Sequence, residues 1–133
     1  MQVNDRSADD AMKQYNKVKV ETSDQLTLIN LLYDGLYSRL NGAVEKMKRG
    51  EQAHADCVRA RDITQNLLDT IRDDGGELAN NLKSLYLFIY RQVVLGDMER
   101  SVTRIEGILP VVKELRAGWR ELKVREESGE RDA

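Results

Sequence analysis

Residues 29–47 read INLLYDGLYSRLNGAVEKM, and the large apolar side chains in this stretch return every three or four positions. That spacing places them on one face of an α-helix. The residues of this face are Ile29, Tyr33, Leu36, Leu40, Val44 and Met47. A capping-box pair, Thr22 and Gln25, precedes the stretch, while a basic turn and Gly50 follow it. The pattern therefore predicts a first helix that begins near Thr22 and ends before Gly50.

Three more segments carry the same periodicity, at residues 51–72, 77–95 and 98–124. Their predicted inward-facing residues are Ala53, Cys57, Ala60, Ile63, Leu67 and Ile71, then Leu78, Leu82, Leu85, Ile89 and Val93, then Met98, Val102, Ile105, Leu109, Val112 and Trp119. Pro110 removes a backbone donor inside the last segment, so we expect a kink or a break into two helices there. Four amphipathic helices with short connections predict an all-α fold, an antiparallel up-down four-helix bundle.

The patterning divides the chain into three parts. Residues 1–22 are predicted to form a short amino-terminal cap, weakly helical over residues 8–17 and then extended. Residues 23–124 form the bundle, and the charged tail 125–133 is expected to be disordered. A length of 133 residues is that of one domain with its own core.

The bulk composition excludes several classes of function. The net charge is −2 and the 33% of charged residues include both signs, so the chain lacks the basic stripe that nucleic-acid binding needs. No stretch approaches the ~20 apolar residues of a membrane span, and the first residues, MQVNDRSADD, lack the pattern of a secretory signal. Cys57 is the one cysteine, so no internal disulfide can form. We expect a cytoplasmic protein with neither a nucleic-acid nor a membrane partner.

The residues that usually carry chemistry are too few for a catalytic or metal site. A structural zinc site needs about four Cys and His ligands, and His54 with Cys57 supplies two. A di-iron carboxylate bundle needs two Glu-x-x-His motifs, and the chain has a single histidine. His54 and Cys57 share a helix face, but no third orienting group accompanies them. The sequence therefore predicts no enzyme, no metal, no cofactor and no small-molecule substrate.

One alternative function uses His54. Histidine phosphotransfer domains are four-helix bundles of this size in which a solvent-facing histidine carries the phosphoryl group. They typically place a lysine three residues and a glycine four residues after that histidine, where this chain has Cys57 and Val58. Although the cation that would attract a phosphoryl group is missing, we keep this function as the alternative to partner binding.

The predicted helices carry more apolar residues than a bundle core needs. In the third helix the surplus lies nearly opposite the inward-facing stripe, and in the first helix it lies on the flank away from the core. These surfaces either touch other helices, the amino-terminal segment or a second copy of the chain, or they form a groove for amphipathic segments of a partner protein. The six groove candidates are Leu28, Leu31, Gly35, Leu87, Tyr90 and Val94.

Several short motifs stand in a fixed order along the chain. Tyr15 begins a stretch that leads into the first helix, and Leu-Tyr-Asp-Gly follows at residues 32–35. Residues 75–82 read Gly-Gly-Glu-Leu-Ala-Asn-Asn-Leu, and the last helix holds Trp119. This ordered set resembles the FliS family of flagellin export chaperones, and the resemblance covers about residues 11–122.

The resemblance implies a partner and a mechanism. In this family a four-helix bundle of the bacterial cytoplasm binds the carboxy-terminal region of flagellin, which is unfolded before export. Apolar grooves hold that region, prevent premature polymerisation and keep it competent for flagellar type III secretion. Components of the flagellar export apparatus are further candidate partners.

The resemblance also implies roles for individual residues. In the family the amino-terminal segment covers part of the groove and is displaced by the partner; here it corresponds to residues 8–20, with Tyr15 as anchor and Val18 and Val20 beside it. Asp34 of the Leu-Tyr-Asp-Gly motif is either a solvated carboxylate or a residue that fixes a helix terminus or contacts the partner. The motif residues expected in the core are Tyr33, Leu82, Leu85 and Trp119.

Overall fold

The structure, a computed structural model, describes the backbone of residues 8–129 and the side chains of residues 24–129. Its four α-helices are α1 (Ala8–Lys48), α2 (His54–Asp69), α3 (Gly76–Glu99) and α4 (Val102–Ser128). Short connections make consecutive helices antiparallel. Because α1 and α3 each pack against α2 and α4, they lie diagonally opposite each other. The predicted all-α antiparallel bundle is confirmed.

The end of α1 was predicted correctly and its beginning was not. Gly50 adopts a left-handed φ of 73°, and the Glu51 N–H donates to the Lys46 carbonyl at 2.8 Å, which closes the helix as the basic turn and glycine indicated. The helix does not begin near Thr22, however. Residues 8–17, predicted to be weakly helical, are helical, but the extended backbone predicted between them and Thr22 is helical as well, so α1 is continuous from Ala8. The β-branched residues of this segment lower helix propensity by only a fraction of a kcal/mol, and no glycine or proline interrupts it.

The boundary between α3 and α4 lies later than predicted. Gly96 and Asp97 belong to α3, so Met98 also lies in α3 and is 76% exposed instead of facing inward from α4. Gly96 is buried in the helix because its missing side chain admits the neighbouring helix. An added Cβ would lie 2.5 Å from Cδ1 of Ile105. Here glycine serves close helix packing and not a turn.

α4 is one continuous helix through Pro110 and is not broken there. Pro110 lies on the exposed side of α4 together with Glu106 and Gly107, so water can satisfy the Glu106 carbonyl that the proline leaves without a donor. The helix reaches Ser128, so the first part of the predicted disordered tail is helical. Residues 130–133 lie outside the described range.

The core follows the predicted face of α1 and departs from the prediction in α3. The large side chains that are fully buried include Tyr33, Leu36, Leu40, Leu67, Tyr86, Ile89, Ile105 and Ile108. Leu78, predicted to face inward, is 69% exposed, and Leu82, Leu85 and Trp119 are only partly buried. The first turns of α3 are therefore less covered than periodicity alone suggests.

An ion-pair cluster ties the first turn of α2 to α1. Oδ1 of Asp56 accepts a hydrogen bond from Arg39 at 3.0 Å, and its Oδ2 pairs with Lys46 at 2.8 Å. Gly42 lies between the two cations on α1, and a Cβ there would stand 3.3 Å from Oδ2, so glycine lets the carboxylate approach. Burial acts to raise the pKa of Asp56, but the hydrogen bonds and charges of Lys46 and Arg39 outweigh it, so the net pKa is lowered.

Arg100, between α3 and α4, is the one described non-glycine residue with positive φ, at 53°. Ser101 donates its N–H to the Gly96 carbonyl at 2.9 Å, the helix-end geometry at which glycine usually occupies the left-handed position. Arg100→Gly is therefore expected to stabilise the protein by about 1 kcal/mol. Arg91→Gly, in the middle of α3, is the control and should destabilise it by a similar amount. Thermal melting of both variants measures the difference, and a lowered melting temperature for Arg100→Gly would contradict the prediction.

Candidate partner-binding surface

The outer face of α3 exposes large apolar side chains. Leu87 is 54% exposed and the adjacent Phe88 is 49% exposed. Tyr90 and Val94, at helical spacing from Leu87, are half-buried on the same side. We call these four residues the outer α3 stripe. Phe88 was missed by the sequence analysis, although its position off the buried face of α3 would have identified it.

The three candidates on α1 have different surroundings. Leu28 is 48% exposed and Leu31 is 63% exposed. Leu31 lines a shallow cavity of about 280 Å³ between α1 and α4, together with Arg120. Gly35 faces α2 instead, where an added Cβ would lie 3.2 Å from Cδ1 of Ile63. Gly35 is partly exposed, and its missing side chain permits close packing of α2.

The six predicted groove residues do not form one continuous groove. Those of α1 and those of α3 belong to diagonally opposite helices of the bundle. The structure brings Leu87, Tyr90 and Val94 together, and it separates them from Leu28 and Leu31. A single partner chain that contacts both sets must therefore wrap around the bundle.

Asp34 joins α1 to α4. Its Oδ1 accepts hydrogen bonds from Arg116 at 2.7 Å and from Arg120 at 3.1 Å. The Arg116 guanidinium also lies over the Tyr37 ring, 5.1 Å from its centroid. The hydrogen bond from Arg116 is the main cause that lowers the pKa of Asp34. Asp34 is thus a helix–helix bridge, and a contact with the partner stays a prediction.

A buried polar cluster connects three helices at the centre of the bundle. The hydroxyl oxygens of Tyr33 and Tyr86 lie 2.6 Å apart, and the Trp119 indole lies close enough to lower the pKa of both phenols. Burial is the main cause that raises the pKa of both phenols, so they stay neutral hydrogen-bonding groups. Asn30 donates its side-chain N–H to the Trp119 carbonyl at 3.2 Å. Asn30 thereby ties the backbone of Trp119 in α4 to α1.

Beside this cluster lies an apolar cavity of about 170 Å³ that opens to solvent near the connection between α2 and α3. We call it the Trp119 cavity. Its apolar lining includes Ile29, Leu78, Ala79, Leu82, Tyr86 and Trp119. The sequence analysis assigned Leu78, Leu82 and Trp119 to the core and so missed this opening, because periodicity does not report how closely neighbouring helices pack.

The two residues considered for chemistry lie in different environments. Cys57 is 1% exposed, and burial is the main cause that raises the pKa of its thiol to about 11, so it stays protonated and is a poor nucleophile. His54 is exposed, and its Nδ1 lies 2.7 Å from Oδ2 of Asp97. That carboxylate would repel an incoming phosphoryl group. Among the side chains of residues 24–129, no group of His, Cys, Asp and Glu could hold a metal ion.

The predicted amino-terminal cover cannot be located on this surface. Tyr15, Val18 and Val20 belong to the part of α1 whose side chains lie outside the described residues. Their contact with the bundle therefore stays a prediction.

A family model described as "Flagellar protein FliS" matches residues 8–126. This chain belongs to the FliS family. It is 29% identical over 118 residues to flagellar secretion chaperone FliSB of Pseudomonas aeruginosa, covering 82% of this chain and 92% of the relative. It is 27% identical over 119 residues to flagellar secretion chaperone FliS of Salmonella typhimurium, covering 84% and 88% respectively. The Escherichia coli FliS chaperone is 26% identical over 106 residues, covering 77% and 78%.

Membership of the FliS family supports a role as a flagellar secretion chaperone. A chaperone acts by binding, which agrees with a surface built from exposed apolar residues. Over the described part of the chain, no helix combines the length and the apolar character that crossing a bilayer requires.

Proposed function

We propose that this FliS-family protein is a cytoplasmic export chaperone that binds the disordered carboxy-terminal region of flagellin, prevents its premature polymerisation and keeps it competent for flagellar type III secretion. The observation that carries the proposal is the outer α3 stripe, where Leu87 is 54% exposed and Phe88 is 49% exposed in a chain of this family. Large apolar side chains grouped on one face of a soluble domain typically mark a protein-binding surface.

The geometry favours an extended partner over a compact one. The outer α3 stripe and the exposed leucines of α1, Leu28 and Leu31, lie on opposite helices of the bundle. A folded globular partner would contact one side, whereas a disordered chain can wrap and order on both. An amphipathic segment laid along each face buries its own apolar residues at helical spacing. The partner would thereby be prevented from pairing its apolar face with other flagellin molecules.

A binding titration of the whole protein with a synthetic peptide of the flagellin carboxy-terminal region tests the proposal. We expect saturable binding accompanied by an increase in helical circular dichroism as the peptide orders. The His54→Ala variant should bind the peptide as tightly as the unmodified protein, because His54 lies outside both apolar faces. Absence of binding would refute the proposal. Stable phosphorylation of His54 by a histidine kinase or a phosphorylated receiver domain would instead support the phosphotransfer alternative.

A further inference from the structure

The face shared by α1 and α4 exposes apolar side chains that the bundle leaves uncovered. Leu31 on α1 is 63% exposed and Val124 on α4 is 57% exposed, and both line the shallow cavity of about 280 Å³ between the two helices. Leu28, one turn before Leu31 and 48% exposed, extends the apolar area along α1. We call these three residues the α1/α4 patch. Exposed apolar side chains grouped on two adjacent helices typically mark a contact with another chain.

One end of the α1/α4 patch carries a surplus of positive charge. Asp34 lies at this end, and its Oδ1 accepts hydrogen bonds from both Arg116 and Arg120. A single carboxylate cannot neutralise two guanidinium groups. The Arg120 side chain is 55% exposed and lines the same cavity as Leu31, so the uncompensated charge faces solvent beside the apolar residues.

The opposite end of the patch carries a surplus of negative charge. Glu127 lies about two helical turns after Arg120 on α4, and it pairs with Lys123 at 2.7 Å. Asp24 on α1, one turn before Thr27 of the cavity lining, is exposed and pairs with no cation among the described side chains. Two carboxylates at this end therefore share one ammonium group.

An apolar centre between a basic end and an acidic end is complementary to a second copy of itself. When two copies meet around a two-fold axis through the centre of the patch, each presents the same surface in the opposite direction. Arg120 of one copy then lies opposite Glu127 of the other, and this pairing occurs twice. The apolar centres meet between the charged ends, with Leu31 of each copy against Val124 of the other. Such a contact is favoured both by apolar burial and by complementary charge.

We propose that the α1/α4 patch is a self-association surface through which two copies of this chain form a two-fold symmetric dimer. The inference goes beyond the proposed function, because it concerns the protein without flagellin. The outer α3 stripe stays accessible in this dimer, since α3 lies diagonally opposite α1. Leu31 also belongs to the surface proposed for flagellin, so a second copy and flagellin would compete there.

Sedimentation equilibrium of the whole protein, without flagellin, measures this dimer. We expect a monomer–dimer equilibrium that shifts with protein concentration. Leu31→Asp puts a carboxylate into the apolar centre from both copies and should weaken the dimer at least tenfold. Because Leu31 is 63% exposed, this variant should stay folded. Leu87→Asp, the same substitution at a 54% exposed position on α3, is the matched control and should dimerise like the unmodified protein.

A pair of charge reversals tests the two-fold arrangement itself. Arg120→Glu and Glu127→Arg each place like charges opposite one another at both ends of the dimer, so each variant alone should dimerise at least tenfold more weakly. Mixing the two variants restores opposite charges at both ends, and a mixed dimer should form about as tightly as the unmodified one. The two side chains are 55% and 63% exposed, so both variants should fold.

The outcomes separate the dimer from the proposed function. A protein that stays monomeric at the highest soluble concentration would refute the inference. A dimer that Leu31→Asp leaves unchanged, or that Leu87→Asp weakens equally, would use another surface and would also refute it. If the mixed charge variants do not associate, positions 120 and 127 do not face each other and the two-fold arrangement is wrong. None of these measurements involves flagellin, so the peptide titration tests the proposed function separately.

Discussion

Replacing Ile89 with aspartate is expected to unfold the protein, whereas replacing Leu87 with aspartate should leave it folded and weaken flagellin binding at least tenfold. Ile89 is fully buried and Leu87 is 54% exposed. A buried, unpaired carboxylate costs several kcal/mol, which is comparable to the ~5–15 kcal/mol stability of a whole domain. At position 87 the new carboxylate stays hydrated in the free protein. It enters an apolar contact only on binding, and a tenfold loss of affinity corresponds to about 1.4 kcal/mol.

The two positions form a matched pair because they carry the same substitution two residues apart in α3. The helix propensity of aspartate therefore contributes similarly to both variants. Thermal melting followed by circular dichroism measures the fold, and a titration with the flagellin carboxy-terminal peptide measures binding. Equal destabilisation of both variants would show that Leu87 is a core residue. A folded Leu87→Asp variant with unchanged affinity would show that flagellin does not use the outer α3 stripe.

Periodicity predicted the existence of four helices because it reflects a physical requirement, the burial of one face of each helix. It predicted their ends less well, since local signals compete with packing. Thr22 has capping-box spacing with Gln25, yet the helix continues through it because nothing upstream stops propagation. Gly96 resembles a helix terminator in the sequence, but its role is to admit Ile105 of α4.

The candidate site was predicted only in part, because much of it depends on contacts between distant residues. Leu87 and Leu31 are exposed apolar residues, as the surplus in their helices indicated. The bond between Arg116 and Asp34 joins residues 82 positions apart, and no local pattern reports such a pairing. The Trp119 cavity likewise is lined by residues of α1, α3, α4 and the α2–α3 connection, which come together only in the assembled bundle.

Removing both cations that surround Asp56 is expected to cost about 3–5 kcal/mol at pH 7, the usual penalty for leaving one partner of a buried ion pair alone. The Asp56 side chain is 7% exposed, whereas those of Arg39 and Lys46 are 42% and 39% exposed. The double variant Arg39→Ala/Lys46→Ala therefore strands a buried carboxylate. Adding Asp56→Asn to this background removes the charge and should recover most of the lost stability, which serves as the control.

The pH dependence of the same variants gives an independent test with a definite sign. In the unmodified protein the pKa of Asp56 is lowered, so its stabilising contribution is complete above the unfolded-state pKa of about 3.9 and is lost as the pH falls through the folded-state value. Without Arg39 and Lys46, desolvation dominates and the pKa of Asp56 should rise, so acid relieves the penalty by protonating the stranded carboxylate. Urea unfolding measures the free energy of unfolding of the unmodified protein and of Arg39→Ala/Lys46→Ala. The difference between these two proteins should be smaller at pH 4 than at pH 7. Two results would contradict the prediction: a difference in free energy of unfolding below about 1 kcal/mol at pH 7, or a difference that is larger at pH 4 than at pH 7. Either result would mean that water already solvates Asp56 and that Arg39 and Lys46 contribute little to the attachment of α2 to α1.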